Sequence, residues 1–340
     1  MQAHRAQLSR RINVRRSLAT AMTVAVLAYS VIAVVVRARP LSNLLGLVVA
    51  VGSPYVPLAA LVALALAIRC RRVLLAVVAA SVVIATLAVQ FSWYYLSNPV
   101  DVGQHIDIRV LSSNLRKGQA DASVFVALAK QGADVVTVSE LTPAAVRAFA
   151  HAGMDDTFPY SVLIPEKGAA GFGLWSRFPV TEVRLPKHRN TGIAAARLDV
   201  PGVRFDPLIA SIHIMSPVAS DQNSFAAWQF GIDGTKQELT DFASDTDPGA
   251  VIVAGDFNST PDMRQFRDLA TNGYRDAVDQ TGAGFTPTFP SNEWFPPLIT
   301  IDHVLTRNAA AASIKTVEMP GSDHRSLLAT VRIPLDPTTP

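Results

Sequence analysis

Acidic residues and lysine are both missing from the first hundred positions of this 340-residue chain. Those positions hold ten arginines, a formal charge of +10. Subtracting them from the totals of 30 basic and 27 acidic residues leaves 20 and 27, a net of −7, for residues 101–340. The basic balance of the whole therefore belongs to the first part. The larger part lacks the cationic excess with which a protein grips a phosphate backbone, which disfavours nucleic acid as a partner. Cysteine is nearly absent too. Cys70 is the only one, so no internal disulfide can form, and the part beyond residue 100 must be held by its own core. About 240 residues are enough for one such domain.

In place of mixed charge, the first part has long apolar runs. Ser17 to Val36 is uncharged, Leu41 to Ile68 is interrupted only by Pro54 and Pro57, and Val73 to Gln90 leads into Phe91, Trp93, Tyr94 and Tyr95. About twenty apolar residues span a bilayer, and aromatic residues gather at its interface. A cleaved signal peptide competes for the first run, but two more runs come after it and no small-residue cleavage site stands out before Arg37. The reading is three transmembrane helices, at about 17–36, 41–68 and 73–91. Arg5, Arg10, Arg11, Arg15 and Arg16 precede the first, and Arg69, Arg71 and Arg72 separate the second and third. Only Arg37 and Arg39 lie between the first two. The positive-inside rule then places the N-terminus and Cys70 in the cytoplasm, and three crossings put the rest outside, in a multi-pass protein of the cell membrane.

After a linker at 97–105, strand and helix patterns alternate over 106–335. Ile106, Ile108 and Val110 recur every second residue and lead to Asn114; Val135 to Ser139 is a buried-strand type that ends at Glu140. Further strands are expected at Ser161–Ile164, Gly171–Ser176, Leu208–Ile214, Val251–Ala254, Thr300–Thr306 and Ser326–Ile333. Helices are expected from Asp121 to Lys130, and over Pro143–Ala150, Phe225–Ala243 and Met263–Ala270. The pattern implies an α/β domain with mixed sheets.

The stretch VIVAGDFNST, at 251–260, ends a buried strand on Asp256 and Asn258. Both are common turn residues, and alone the pair would read as a turn. Polar residues recur at other strand ends, however: Asn114, Glu140, His213 in LIASIHIMSP, Asp302 and His303 in TIDHVLTR, and Asp323 and His324 in PGSDHRSLLATV. Each alone has a bland explanation as a cap, a turn or a satisfied core histidine; together they point to a site.

In their order, SSNLRKG, VVTVSEL, GLWSRFPV, ASIHIMSP, VAGDFNST, TIDHVL and GSDHRSLLATV resemble the motifs of the endonuclease/exonuclease/phosphatase superfamily, over about residues 106–333. The resemblance implies a four-layer α/β (α+β) sandwich of two mixed β-sheets flanked by helices, with the site at one edge. It implies Mg²⁺, or Mn²⁺ as an alternative, on Glu140 with Asn114 and Asp323 in support. Asp256 would orient and deprotonate the attacking water, Asn258 would hold water or a phosphoryl oxygen, and His324, fixed by Asp302, would face the phosphorus-bound oxygens with His213. These roles suit the chemistry, since phosphoester hydrolysis needs developing oxygen charge neutralised and a water aligned, and Mg²⁺ takes hard oxygen ligands.

Arg177, in SRFP, either touches phosphate or anchors a carboxylate. His303 faces away from Asp302 on a regular strand, so packing suits it better than catalysis. GAAGFG, at 168–173, lacks the helix and Lys of a phosphate-cradling loop. FTPTFPSNEWFPPLIT, at 285–300, offers Phe285, Phe289, Trp294, Phe295 and Leu298 ahead of Asp302, either as core or as an apolar lip toward lipid. Three spans before an external phosphatase-like domain are similar to the actinomycete membrane proteins linked to teicoplanin resistance, proposed to dephosphorylate an undecaprenyl-type carrier. The resulting expectation is a membrane-anchored hydrolase of a lipid-linked phosphate or diphosphate, with the bilayer as its neighbour and no obligatory protein partner. A tethered extracellular nuclease and a sphingomyelinase-like phospholipase C are the alternatives. An inactive lipid-binding adaptor is disfavoured, because every expected catalytic position is occupied.

Overall fold

A computed structural model describes residues 2–183, 185, 192–219 and 223–338; the side chains of residues 2–13 and 15, including Arg5, Arg10, Arg11 and Arg15, lie outside that description. The chain divides into two compact units, Met1–Ser92 with Asp262–Arg264, and Trp93–Pro261 with Gln265–Pro340.

The first unit contains helices α1 (Gln2–Ala38), α2 (Leu44–Val51), α3 (Val56–Arg69) and α4 (Val73–Tyr94). Two stretches are long and apolar enough to cross a bilayer, Arg16–Ala38 and Val73–Tyr94. The run expected as a single second span is broken. Asn43 caps α2 by accepting from the Gly46 N–H at 2.9 Å, and after Gly52 the run Ser53–Arg69 departs at 44°. The cause is local: Pro54 and Pro57 have no N–H to continue the ladder, and their rings exclude the preceding helical turn. A third crossing therefore depends on the bent pair acting as one span.

In the second unit, the described residues give twelve strands: β1 (His105–Asn114), β2 (Val135–Ser139), β3 (Tyr160–Ile164), β4 (Phe172–Ser176), β5 (Val180–Val183), β6 (Gly192–Leu198), β7 (Leu208–His213), β8 (Val251–Asp256), β9 (Arg275–Asp276), β10 (Asp302–Arg307), β11 (Ala310–Val317) and β12 (Ser326–Pro334). They form two six-stranded mixed sheets, ordered β11-β12-β1-β2-β4-β3 and β5-β6-β7-β8-β10-β9. The pairs β1/β2 and β7/β8 are parallel. Helices α5 (Ala122–Gly132), α6 (Pro143–His151), α7 (Met154–Thr157), α8 (Ser224–Thr246) and α10 (Ala277–Thr281) accompany the strands, and the short α9 (Arg264–Arg267) begins on the residue at which the two units divide. The architecture expected from sequence is thus present.

Alternation along the strands builds the core between the sheets. Ile108 and Val110 of β1 and Val331 of β12 meet Ala196, Ile209, Ile252 and Val304 of the other sheet. The opposite face of the first sheet, with Leu111, Val136 and Trp175, buries Phe125 of α5 and Phe149 of α6. The two phenylalanine rings stack at 4.6 Å, and each such burial contributes about 1.5–3 kcal/mol. Asp121 starts α5 by accepting from the N–H groups of Ser123 and Val124, as a side-chain N-cap does. The stretch read as a linker is bonded to this unit: Asn98 N–H donates to Gln280 O at 3.0 Å and Leu335 N–H to Gln104 O at 2.9 Å.

Candidate active site

Strand register aligns the first group of polar residues. His213 of β7 lies opposite Asp256 of β8, and Asp256 lies opposite Asp302 of β10, so three chain-distant residues stand in one row. Gly255 is required here. A Cβ at that position would collide with the carbonyl oxygen of Ile212 on the neighbouring strand, so β8 approaches β7 only without a side chain. Beyond the strand, Asp256 Oδ1 accepts from the Asn258 N–H at 2.8 Å. The Asn258 amide donates to Ile214 O at 2.8 Å and approaches Asp256 Oδ2 at 3.3 Å. Asp256 and Asn258 therefore belong to a side-chain-stabilised turn and to the cluster at once. Their proximity comes from the left-handed backbone of Asn258, φ 45°, not from alternation along a strand.

The other sheet supplies the facing half. Asn114 ends β1 opposite Ser139, and Glu140 comes directly after. Asn114 Nδ2 donates to Asp256 Oδ2 at 2.9 Å and reaches Glu140 Oε1 at 3.3 Å, which joins the two sheets through one amide. Glu140 Oε2 accepts from the Lys117 N–H at 2.7 Å, and Asn114 Oδ1 from the Arg116 N–H at 2.8 Å. The glycine-rich stretch acts as a support: a Cβ on Gly171 would strike the Leu141 carbonyl oxygen, and Leu141 N–H donates to Gly171 O at 2.9 Å. Of the seven non-glycine residues with positive φ among the described residues, Arg116, Lys117, Glu140 and Asn258 lie here. Such strain persists where the surroundings over-determine it, and it gathers at functional sites.

His324 completes the cluster. Its Nδ1 bonds Asp302 Oδ2 at 2.8 Å, and its Nε2 lies 3.8 Å from Asp256 Oδ2. Burial by itself would lower the imidazole pKa, but the Asp302 and Asp256 carboxylates outweigh it and push it up to about 10. Burial first and Asp302 repulsion second raise the Asp256 carboxyl above its ordinary value, against the opposing pull of His324 and His213. His213 Nε2 stands 3.8 Å from Asp256 Oδ2 and 4.0 Å from Glu140 Oε1. Asp323 is at the edge, 3.8 Å from Arg116 Nε. Two further residues support the cluster; the sequence carries no sign of Ser322 in that role and offers Phe289 only as part of the apolar stretch. Ser322, inside the GSDH motif, donates to Asn114 O at 2.7 Å and accepts from the His324 N–H at 3.0 Å. Phe289 lays its ring 4.9 Å from that of His324.

Arg177 lies beside a carboxylate, its Nε 3.7 Å from Asp134 Oδ1, but its hydrogen bonds go to backbone. Its guanidinium donates to Ala133 O at 2.8 Å and Lys130 O at 2.7 Å, and stacks over the Phe158 ring, so it caps the end of α5 rather than joining the cluster. His303 is buried on the opposite face, as the strand alternation predicts. Its Nδ1 bonds Asp276 Oδ2 at 2.8 Å, and its Nε2 bonds Ser259 O at 2.9 Å. Replacing His303 by Ala strands a buried carboxylate, which costs about 3 kcal/mol. Melting temperature should therefore fall by about 6 to 12 °C while kcat stays within a few-fold. A hundredfold loss of kcat with unchanged stability would refute this packing role.

Residues 108–324 match the endonuclease/exonuclease/phosphatase family. The chain belongs to that family. No curated protein sequence matches it. Among solved structures, an endonuclease/exonuclease/phosphatase family protein from Bacteroides thetaiotaomicron is 14% identical, with TM-score 0.54 over 68% of this chain and 99% of that one. Another from Bacteroides vulgatus is 16% identical, with TM-score 0.54 over 67% and 99%. The Neisseria 3′ phosphatase NExo, bound to product DNA hairpin, is 19% identical, with TM-score 0.52 over 65% and 98%. At these identities the likeness establishes the fold. The family is one of divalent-metal-dependent phosphoester hydrolases, and this member is such an enzyme. The donor set fits a hard cation. Oxygen donors predominate in it: Glu140, Asp256, Asp302 and Asp323 supply carboxylates, and of these only Asp302 is bonded to an imidazole at hydrogen-bond length. Asp256, Asp302 and His324 offer ligand atoms within 4.8 Å of one another, yet the 2.8 Å Asp302–His324 bond marks those two as a hydrogen-bonded pair. The Glu140 carboxylate fits a cation better, while the Asn114 amide turns its Nδ2 toward Glu140 and its Oδ1 toward the Arg116 N–H.

Proposed function

We propose that this enzyme is a membrane-anchored phosphohydrolase acting at the outer face of the membrane on a lipid-linked phosphate or diphosphate, comparable to an undecaprenyl carrier. The observation that carries the substrate choice is Trp294, 93% exposed in a segment tied to the site. Ser291 N–H in that segment donates to Asp323 O at 2.7 Å. The Trp294 ring meets Phe295 edge-on at 5.5 Å, and Leu298 is exposed as well. A large apolar side chain kept in water beside a site suits an interfacial or lipid partner. The net charge of −7 from residue 101 onward weighs against a nucleic-acid backbone.

Glu140, with Asn114 and Asp323 in support, would hold Mg²⁺ or Mn²⁺, whose charge would neutralise phosphoryl oxygens. Asp256, its carboxyl raised by burial and by Asp302, is suited to accept the proton of an attacking water. Asn258 would align that water or a phosphoryl oxygen. His324, kept protonated by Asp302, would donate to an oxygen on phosphorus as negative charge grows there, and His213 would add a second donor.

The arginine distribution supports an N-terminus in the cytoplasm and a catalytic unit outside, with the bent α2–α3 pair as the middle span. A C-terminal alkaline phosphatase fusion should be active and a fusion after Arg72 inactive; the reverse pattern would sink the extracytoplasmic assignment. The chemistry is tested by comparing a long-chain prenyl diphosphate with sphingomyelin and single-stranded DNA as substrates of the full-length protein.

A further inference from the structure

We propose that Arg116 and Lys117 hold a second phosphoryl group, so that the preferred substrate is an organic diphosphate rather than a monoester or diester. The inference rests on the phosphohydrolase reading and narrows its substrate. With Arg177 committed to α5, the positive charge facing a substrate is that of His324 and of the cation Glu140 would hold, which suits one phosphate; a second phosphate calls for more. Arg116 and Lys117 are placed to give it. Their N–H groups fasten Asn114 and Glu140. Both lie in the left-handed region, at φ 47° and 54°, which long side chains adopt at a cost. Glycine or asparagine would meet that backbone demand with less strain. Two strained, adjacent cations at this one place point to a use for the side chains themselves. Arg116 Nε faces Asp323 Oδ2 at 3.8 Å, beyond hydrogen-bond length, so the guanidinium is at the cluster with donors to spare. Lys117 is exposed, and no carboxylate pairs with its ammonium among the described residues.

In the reaction, the water oxygen bonds to the terminal phosphorus and the bridging P–O bond breaks. Its electron pair leaves with the organic monophosphate, and the water proton passes to Asp256. Arg116 and Lys117 would bind that departing monophosphate, where charge accumulates as the bond lengthens.

The test uses the full-length chain with Mg²⁺ and two probes, farnesyl diphosphate and bis(4-nitrophenyl) phosphate. Arg116→Asn with Lys117→Asn removes both charges and keeps a residue type that tolerates the left-handed backbone. KM for the diphosphate should rise at least about tenfold, while KM for the diester moves less than about threefold. The charge-preserving pair Arg116→Lys with Lys117→Arg should recover much of the diphosphate affinity. Equal changes on both probes would overturn the proposal, because the loop would then act only through Glu140 and Asn114. An unchanged diphosphate KM would overturn it as well. A wild-type protein that cleaves the diester and not the diphosphate sinks this inference alone; one that cleaves neither sinks the reading beneath it.

Discussion

Asp256→Asn should lower kcat by at least about a hundredfold without lowering thermal stability. The two halves of this result come from one cause. Asp256 is fully buried between Asn114, Asn258 and His324, and faces Asp302 across the strand pair. Burial and like-charge repulsion raise its carboxyl pKa, so its ionised form is disfavoured in the fold. The contribution of the protonated acid to stability is present at low pH and lost as pH rises through the raised value. A neutral, near-isosteric amide relieves that penalty and keeps the Oδ1 bond of the turn. That relief offsets the acceptor that Oδ2 no longer offers Asn114, yet the amide cannot take a proton from water. Asn258→Ala and His324→Ala should show similar losses, since each removes a group that acts in the transition state. Near-normal turnover of Asp256→Asn would refute its role as base. A large fall in melting temperature would show that the carboxylate is structural.

Replacing Trp294 and Phe295 together by Ser should weaken hydrolysis of a long-chain lipid phosphate by two or more orders of magnitude in apparent affinity. Inserting each large ring into an apolar phase is worth about 1.5–3 kcal/mol. Trp294, at 93% exposure, contributes almost nothing to the core in water, so its loss should barely change the melting temperature. Phe295 is half-buried and its ring meets that of Trp294, so some destabilisation from that position is expected. A short water-soluble diphosphate should be cleaved at nearly the normal rate, because Glu140, Asp256 and His324 are untouched. Equal losses on both substrates with a clear drop in melting temperature would instead mean that the segment serves packing. The remaining grounds for lipid would then be the anchor and the charge.

Elements whose local signal agrees with their environment were legible in the sequence. VVTVS and VIVAGD are β-branched runs buried on every side, and they became β2 and the central β8. Asp121 gave the start of α5 because an N-cap acts through its own neighbours. Strands β6 and β11, GIAAARL and AAASIKTV, were missed. Alanine carries little strand preference, and their pairing partners lie far along the chain. The helix expected over Met263–Ala270 shrank to the four residues of α9. At the site, residue types were readable and partners were not. Nothing near Arg177 in sequence says that its donors go to the carbonyls of Lys130 and Ala133. Likewise, the strained backbone of Arg116 and Lys117 exists only once Glu140 and Asn114 demand their N–H groups.

The most direct measurement is phosphate release from a long-chain prenyl diphosphate by full-length protein, titrated with Mg²⁺ and compared with sphingomyelin and single-stranded DNA. Release should depend on the metal and be abolished by EDTA, the diphosphate should turn over faster than either competitor, and a Glu140→Ala variant should need far more Mg²⁺ for half-maximal rate. Cleavage of single-stranded DNA in preference to the diphosphate, or a Glu140→Ala variant with unaltered Mg²⁺ dependence, would contradict this reading.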